Sequence, residues 1–192
     1  MQKIIFIFII NLIFFSCSIN KDKTKVEKEH ITQDIDKMNM NSKSYESSIA
    51  KWNKAKKEHN HSYTYTVGFS SFSGYRTTTI ITVKEGEVIK RAFYETYPTN
   101  LLNLPNQKTA DKPTFIEDKT NLNTHNEGNP AITIDQLYKD CSDKYLTADK
   151  NKNVIHFKVD KIGILNVCGY TPKNCADDCF KGVSIGEIKW SI

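Results

Sequence analysis

Arginine is almost missing from this chain: Arg76 and Arg91 are the only two, so its positive balance rests on lysine. A nucleic-acid binder usually gathers Lys and Arg on one face, and no such cluster occurs, which argues against a nucleic-acid partner. The net charge of +5 falls only to +4 when residues 1–16, whose single charge is Lys3, are set aside. Long apolar runs are also lacking. Ile4 to Phe15, interrupted by Asn11, falls short of the about 20 residues that span a bilayer. No Gly-x-Ser-x-Gly, phosphate-cradling glycine loop or His-Glu-x-x-His occurs, which removes the recognisable hydrolases, nucleotide enzymes and metalloproteases. Cys-x-x-Cys is absent as well, which weakens a redox role.

What the N-terminus does contain is an export pattern. Met1-Gln2-Lys3 is a short charged region, and the apolar run after it has the length of a signal h-region. It closes on Phe14-Phe15-Ser16-Cys17, a small residue directly before a cysteine, and this resembles the lipobox at which bacterial lipoproteins are cut and acylated. Residues 1–16 therefore read as a lipoprotein signal peptide and Cys17 as the lipidation site; an ordinary signal peptide or an uncleaved anchor is the alternative. Two or three acyl chains anchor stably, since each buried methylene contributes about 0.8 kcal/mol. From residue 17 to 44 the chain is polar and without period, which reads as lipid anchor and flexible tether. Ser18 after the cysteine, rather than Asp, resembles outer-membrane sorting.

Residues 45–192 are long enough for one domain. Tyr45, Ile49, Trp52 and Ala55 fall at helical steps, with Ser44 or Ser47 as the expected cap. Tyr63, Tyr65, Val67 and Phe69 alternate with Ser62, Thr64, Thr66 and Gly68, the pattern of a half-buried strand. Ser73-Gly74 marks a turn, Arg76 to Val83 a second strand, and Glu85-Gly86 a hairpin into a third, Glu87 to Thr96. Residues 97–130 hold Pro98, Pro105, Pro113 and Pro130 and no sustained period, which reads as a long polar insertion, either a functional flap or disordered. Thr133-Ile134-Asp135-Gln136 is a capping box opening a second helix to about Leu146. Strands follow at Ile155 to Val159, Ile164 to Tyr170 and Val183 to Trp190, with a turn at Asp160 to Gly163. This order predicts an α+β fold: an antiparallel sheet of about five to six strands with two helices packed on one face.

Trp52, Ser62-Tyr63-Thr64-Tyr65, Val83-Lys84-Glu85-Gly86-Glu87-Val88, Thr133 to Tyr138 and the Phe157-Lys158-Val159-Asp160 to Gly163 turn together resemble the domain-of-unknown-function family 6174. Its members are secreted or lipid-anchored proteins, mostly bacterial, with no established activity. The resemblance runs from about Ser47 to Ile192 except the insertion. It implies an address and a fold, and no catalytic residues.

Four cysteines remain beside Cys17: Cys141, Cys168, Cys175 and Cys179. An even number in an exported chain reads as two disulfides. Three pairings exist; Cys175 with Cys179 and Cys141 with Cys168 is preferred, because Cys141 and Cys168 fall in regular elements. A zinc site of all four lacks the two close pairs that structural zinc uses. Asp149, Asn151, Asn153 and Asp160 stand at calcium-loop positions, but Val154 occupies the place of the required glycine. Asp177 and Asp178 read as solvated loop residues. His59 and His61 are two apart, a metal pair or proton relay only if they share a strand face; His156 faces solvent. Tyr63, Tyr65, Phe69, Phe93 and Tyr94 are a ligand groove or ordinary core.

The function this supports is a lipid-anchored cell-envelope protein, its expected address the outer membrane, acting as a non-enzymatic binding module without catalytic residue, cofactor or metal. Its partners would be the membrane, through the anchor, and a protein, peptide or glycan. An envelope enzyme without a recognisable motif and a calcium-stabilised module are the alternatives. Residues 97–130 are the expected contact, and their deletion is expected to leave a folded protein.

Overall fold

Side chains on a strand alternate between two faces, and in the computed structural model Tyr63, Tyr65 and Val67 are all buried while Thr64 and Thr66 are not. The structure describes residues 43–97 and 112–191. The expected signal peptide, the expected lipidation site Cys17 and most of the expected tether lie outside the described residues.

Seven strands form one antiparallel sheet in the order β4-β3-β2-β1-β7-β6-β5. They are β1 (Tyr63–Ser70), β2 (Arg76–Lys84), β3 (Glu87–Thr96), β4 (Phe115–Asp118), β5 (Asn153–Val159), β6 (Leu165–Pro172) and β7 (Lys181–Trp190). The α+β class holds, with the sheet dominant and one strand beyond the expected five to six. The additional strand is β4, inside the stretch read as irregular. Four residues are too few to establish a period, and one of its two inward positions is a charged residue, Glu117, so the alternation is hidden.

Helix α1 covers 43–58. It is already helical at residue 43, so Ser44 and Ser47 lie within it rather than capping it. Its Trp52 is fully buried, edge-on to Tyr63 with centroids 5.0 Å apart and stacked on Trp190 at 5.6 Å. Asn60 and His61, with φ of 49° and 53°, stop the helix and turn the chain into β1. The β2–β3 turn has φ of 52° at Glu85 and 86° at Gly86, the left-handed pair that matches strand twist in a two-residue hairpin.

Because β4 and β5 are opposite edges of the sheet, residues 119–152 must travel from one edge to the other, and they supply the second layer of the core. Helix α2 (Ile134–Asp140) lies in this connection, followed by a π-helical turn, Cys141–Tyr145. Thr133 caps α2, its hydroxyl accepting from the Gln136 amide at 3.2 Å. The expected box is half made, since the Gln136 side chain donates to Asp140 instead. Tyrosine hydroxyls fasten the connection to the sheet. Tyr63 accepts from the Ile134 amide at 3.1 Å, Tyr65 donates to the Ile132 carbonyl at 2.5 Å, and Tyr138 accepts from the Leu165 amide at 2.9 Å. Ile134, Leu137 and Tyr138 fill the core with Val67, Ile81, Val83, Leu165 and Ile185, each large apolar side chain contributing about 1.5–3 kcal/mol when fully buried.

Between β1 and β7 the register shifts after Tyr65. The Glu187 amide there donates to the Thr66 hydroxyl at 2.9 Å, and a Cβ on Gly186 would stand 2.5 Å from that oxygen. Glycine admits the close approach that the irregularity requires.

Candidate functional site

The most polar place in the interior is built on β3 and β4, where the register sets Arg91 opposite Glu117. Their side chains are 2% and 0% exposed, with Arg91 Nε 2.8 Å from Glu117 Oε2. Arg91 Nη2 donates to Glu117 Oε1 at 3.0 Å, so the guanidinium meets one carboxylate oxygen by a hydrogen bond and the other by a close charge contact. The following loop closes over it. The amides of Asn123 and His125 donate to Glu117 at 2.8 and 2.9 Å, and Arg91 donates to the carbonyls of His125 and Asn129 at 2.9 and 3.2 Å. The His125 ring lies flat on Phe115, centroids 4.0 Å apart, with Nδ1 3.0 Å from Glu117 Oε1. The Arg91 guanidinium sits 5.0 Å from the centre of the Phe115 ring. Burial pushes the Glu117 carboxyl upward, but the hydrogen bonds from His125 and Asn123 and the charge of Arg91 outweigh it and hold it down to about 2. Carboxylate and guanidinium are thus engaged with each other and with the loop, and the arrangement fastens residues 119–131 to the sheet.

This arrangement argues against the expectation that 97–130 can be removed without unfolding the domain. Its described part, 112–130, supplies β4, Glu117 and the Phe115 ring that stacks on Phe93 at 5.2 Å. Polar composition hid a structural role, because the opposite charge that lets Glu117 be buried comes from Arg91 on another strand.

A second place is open to solvent. At the ends of β5, β6 and β7, Pro172 lies opposite Asn153 and Tyr170 opposite Lys181. Around these residues is a cleft of about 540 Å³, lined by Lys152, Lys173, Lys181, Asn151, Asn153, Asn174, Tyr170 and Pro172. The Lys173 amide donates to the Lys152 carbonyl at 2.8 Å, which joins the two rims. Lys152 is 3.9 Å from Asp149, with 82% of its side chain exposed, so that pair is screened and worth little. Among the described residues Lys173 and Lys181 form no ion pair. Three lysines, three asparagines and a tyrosine line this cleft, with no Asp or Glu among the lining residues, a composition that attracts anions.

The cysteines pair as preferred from sequence. Cys141–Cys168 joins the π-helical turn to β6 with Cα atoms 5.7 Å apart, and Cys175–Cys179 closes the β6–β7 loop with Cα atoms 6.2 Å apart. The second bond spans the loop whose two limbs carry Lys173 and Lys181 to the cleft. The calcium-loop positions separate. Asp149 accepts from the Asn151 amide in a local turn, Asn153 opens β5, and Asp160 lies beyond the whole strand, roughly 20 Å at strand rise. His59 stacks on Trp190 at 4.6 Å, while His61 adopts a positive φ at the helix stop, so the two share no strand face. His156 is 3.0 Å from the Thr171 hydroxyl. Tyr63, Tyr65 and Phe93 are core, and Phe69 is 46% exposed. The register sets Phe93 on the inward face and the adjacent Tyr94 on the other, so the five aromatics line no common groove. Among the described residues no group of three or more His, Cys, Asp and Glu side chains is placed to hold a metal. No helix among them is long and apolar enough to cross a membrane.

Sequence reasoning missed Lys152, Lys173 and Lys181. The only local signal is the mixture of Lys and Asn at 150–153 and 173–174, and their convergence comes from strand pairing. Compared with protein-family models, curated proteins and solved structures, the chain matches none of them.

Proposed function

We propose that this chain is a lipid-anchored envelope protein whose domain binds an anionic partner through the Lys152–Lys173–Lys181 cleft and catalyses nothing. The observation that carries this reading is the convergence of three lysines, two of them without an ion-pair partner among the described residues, on one open cleft. The anchor rests on the apolar run ending in Ser16-Cys17. The contact lies in the cleft rather than in 97–130, whose described part is engaged in holding β3 and β4.

Exposed ion pairs contribute about 0.2–1 kcal/mol each, so a single small anion binds weakly. A repeating polyanion binds far better, because later contacts are intramolecular. Salt weakens it, since the screening length at 0.15 M is about 8 Å. The test uses the full lipidated chain in detergent micelles, with poly-L-glutamate, polygalacturonate and neutral dextran as probes at low and high salt. Expected is salt-sensitive binding of a polyanion, no binding of dextran, and loss of at least tenfold affinity in the Lys152→Gln/Lys173→Gln/Lys181→Gln variant. Equal binding by that variant sinks the cleft, and a Cys17→Ser protein that partitions into detergent like the parent sinks the anchor.

A further inference from the structure

Resting on the cleft as the contact for an anionic partner, we infer that this partner is an extended acidic polypeptide that adds to β5 as an eighth strand. β5 is an edge strand. It pairs with β6 on one side and, among the described residues, with no strand on the other. An unpaired edge exposes backbone N–H and C=O groups ready to join another chain. β5 offers them over seven residues, with no proline and a register that stays regular from Asn153 to Lys158. The opposite edge, β4, has four residues, and its Glu117 is committed to Arg91.

Charge and side chains at β5 select the occupant. From 149 to 161 there are four lysines and two aspartates. Both aspartates are tied locally: Asp149 accepts from the Asn151 amide, and Asp160 from the amides of Ile162 and Ile164. β5 itself carries one lysine, Lys158, and no carboxylate, so a second copy of β5 brings no acidic side chain to meet it, whereas acidic side chains at alternate positions of another chain do. Val159, 42% exposed and on the face opposite Lys158, gives apolar contact to the residues between, and Val154, also 42% exposed, does so on the face of Lys158. The edge also leads into the cleft, for Asn153 is both the first residue of β5 and part of the cleft lining. A polypeptide running past Asn153 reaches Lys152, Lys173 and Lys181. A glycan can meet those lysines but has no amide ladder to offer β5.

The experiment uses the full chain in detergent micelles and a capped heptapeptide, Thr-Glu-Val-Glu-Val-Glu-Thr. Two further versions carry N-methyl groups on the odd or on the even residues, which leaves charge unchanged and blocks alternate backbone donors. Expected is at least tenfold slower hydrogen exchange at β5 amides with the parent peptide. One methylated version should bind at least tenfold more weakly and the other within about twofold of the parent. Equal binding of all three, or protection elsewhere than β5, overturns the added strand. Binding of polygalacturonate without binding of the peptide overturns it too and leaves the cleft standing, whereas failure of every polyanion overturns the cleft itself.

Discussion

Replacing Glu117 by alanine tests whether the buried pair holds this half of the sheet together. The substitution leaves a guanidinium that is 2% exposed without its carboxylate. Removing one member of a buried ion pair costs about 3–5 kcal/mol, since the remaining charge stays uncompensated. The Asn123 and His125 amides lose their acceptor as well, at about 1 kcal/mol each where water does not replace it. In a domain of about 150 residues each kcal/mol moves the midpoint by about 2–4 °C, so Tm should fall by on the order of 10 °C or more. Thermal and urea unfolding followed through Trp52 and Trp190 fluorescence measures this. Glu117→Gln adds a pH arm. The carboxyl is held near 2 in the fold against an ordinary 4.5, so its stabilisation is complete above about 4.5 and is lost as pH falls toward 2. The stability difference between parent and Glu117→Gln should therefore shrink across that window and stay constant from pH 5 to 7. Arg91→Met with Glu117→Leu should recover part of the loss, because no charge is then stranded, but not all, because the loop amides remain without their acceptor. A Glu117→Ala loss below about 1 kcal/mol would refute the reasoning, as would a difference independent of pH down to 2.

Deleting residues 112–130 removes β4, Glu117 and Phe115 together; the domain should then fail to show a cooperative unfolding transition by circular dichroism, in contrast to the tolerance expected from composition. The two disulfides should differ in weight. Cys141 and Cys168 are 27 apart in sequence and Cys175 and Cys179 are 4 apart, for which loop-closure entropy gives about 3.5 and about 2 kcal/mol. Double alanine variants compared by urea denaturation should keep that order, and the reverse order would mean that the entropic account does not apply here.

The strands were legible wherever burial follows from a residue's own chemistry. Tyr63, Tyr65 and Val67 are apolar enough to demand one face whatever lies opposite, and Glu85-Gly86 and Gly163 mark turns because few residues tolerate their positive φ. Thr133 was legible as a cap because the capping bond is local. The elements that escaped owe their place to distant partners. Glu117 is apolar in no scale, and it is buried only because Arg91, 26 residues earlier, stands opposite it with five of its own donors to satisfy. The start of α1 escaped because Ser44 and Ser47 suit a cap by residue type alone, whereas both lie within a helix already formed at residue 43. The cleft obeys the same logic. Lys152, Lys173 and Lys181 are unremarkable singly, and it is the pairing of β5 with β6 and of β6 with β7 that sets three like charges around one opening. Like charges brought together by a fold repel one another, and among the described residues only Lys152 has a carboxylate near it, Asp149 at 3.9 Å, so an outside anion at this opening lowers the energy. That is the physical reason to look for the partner there.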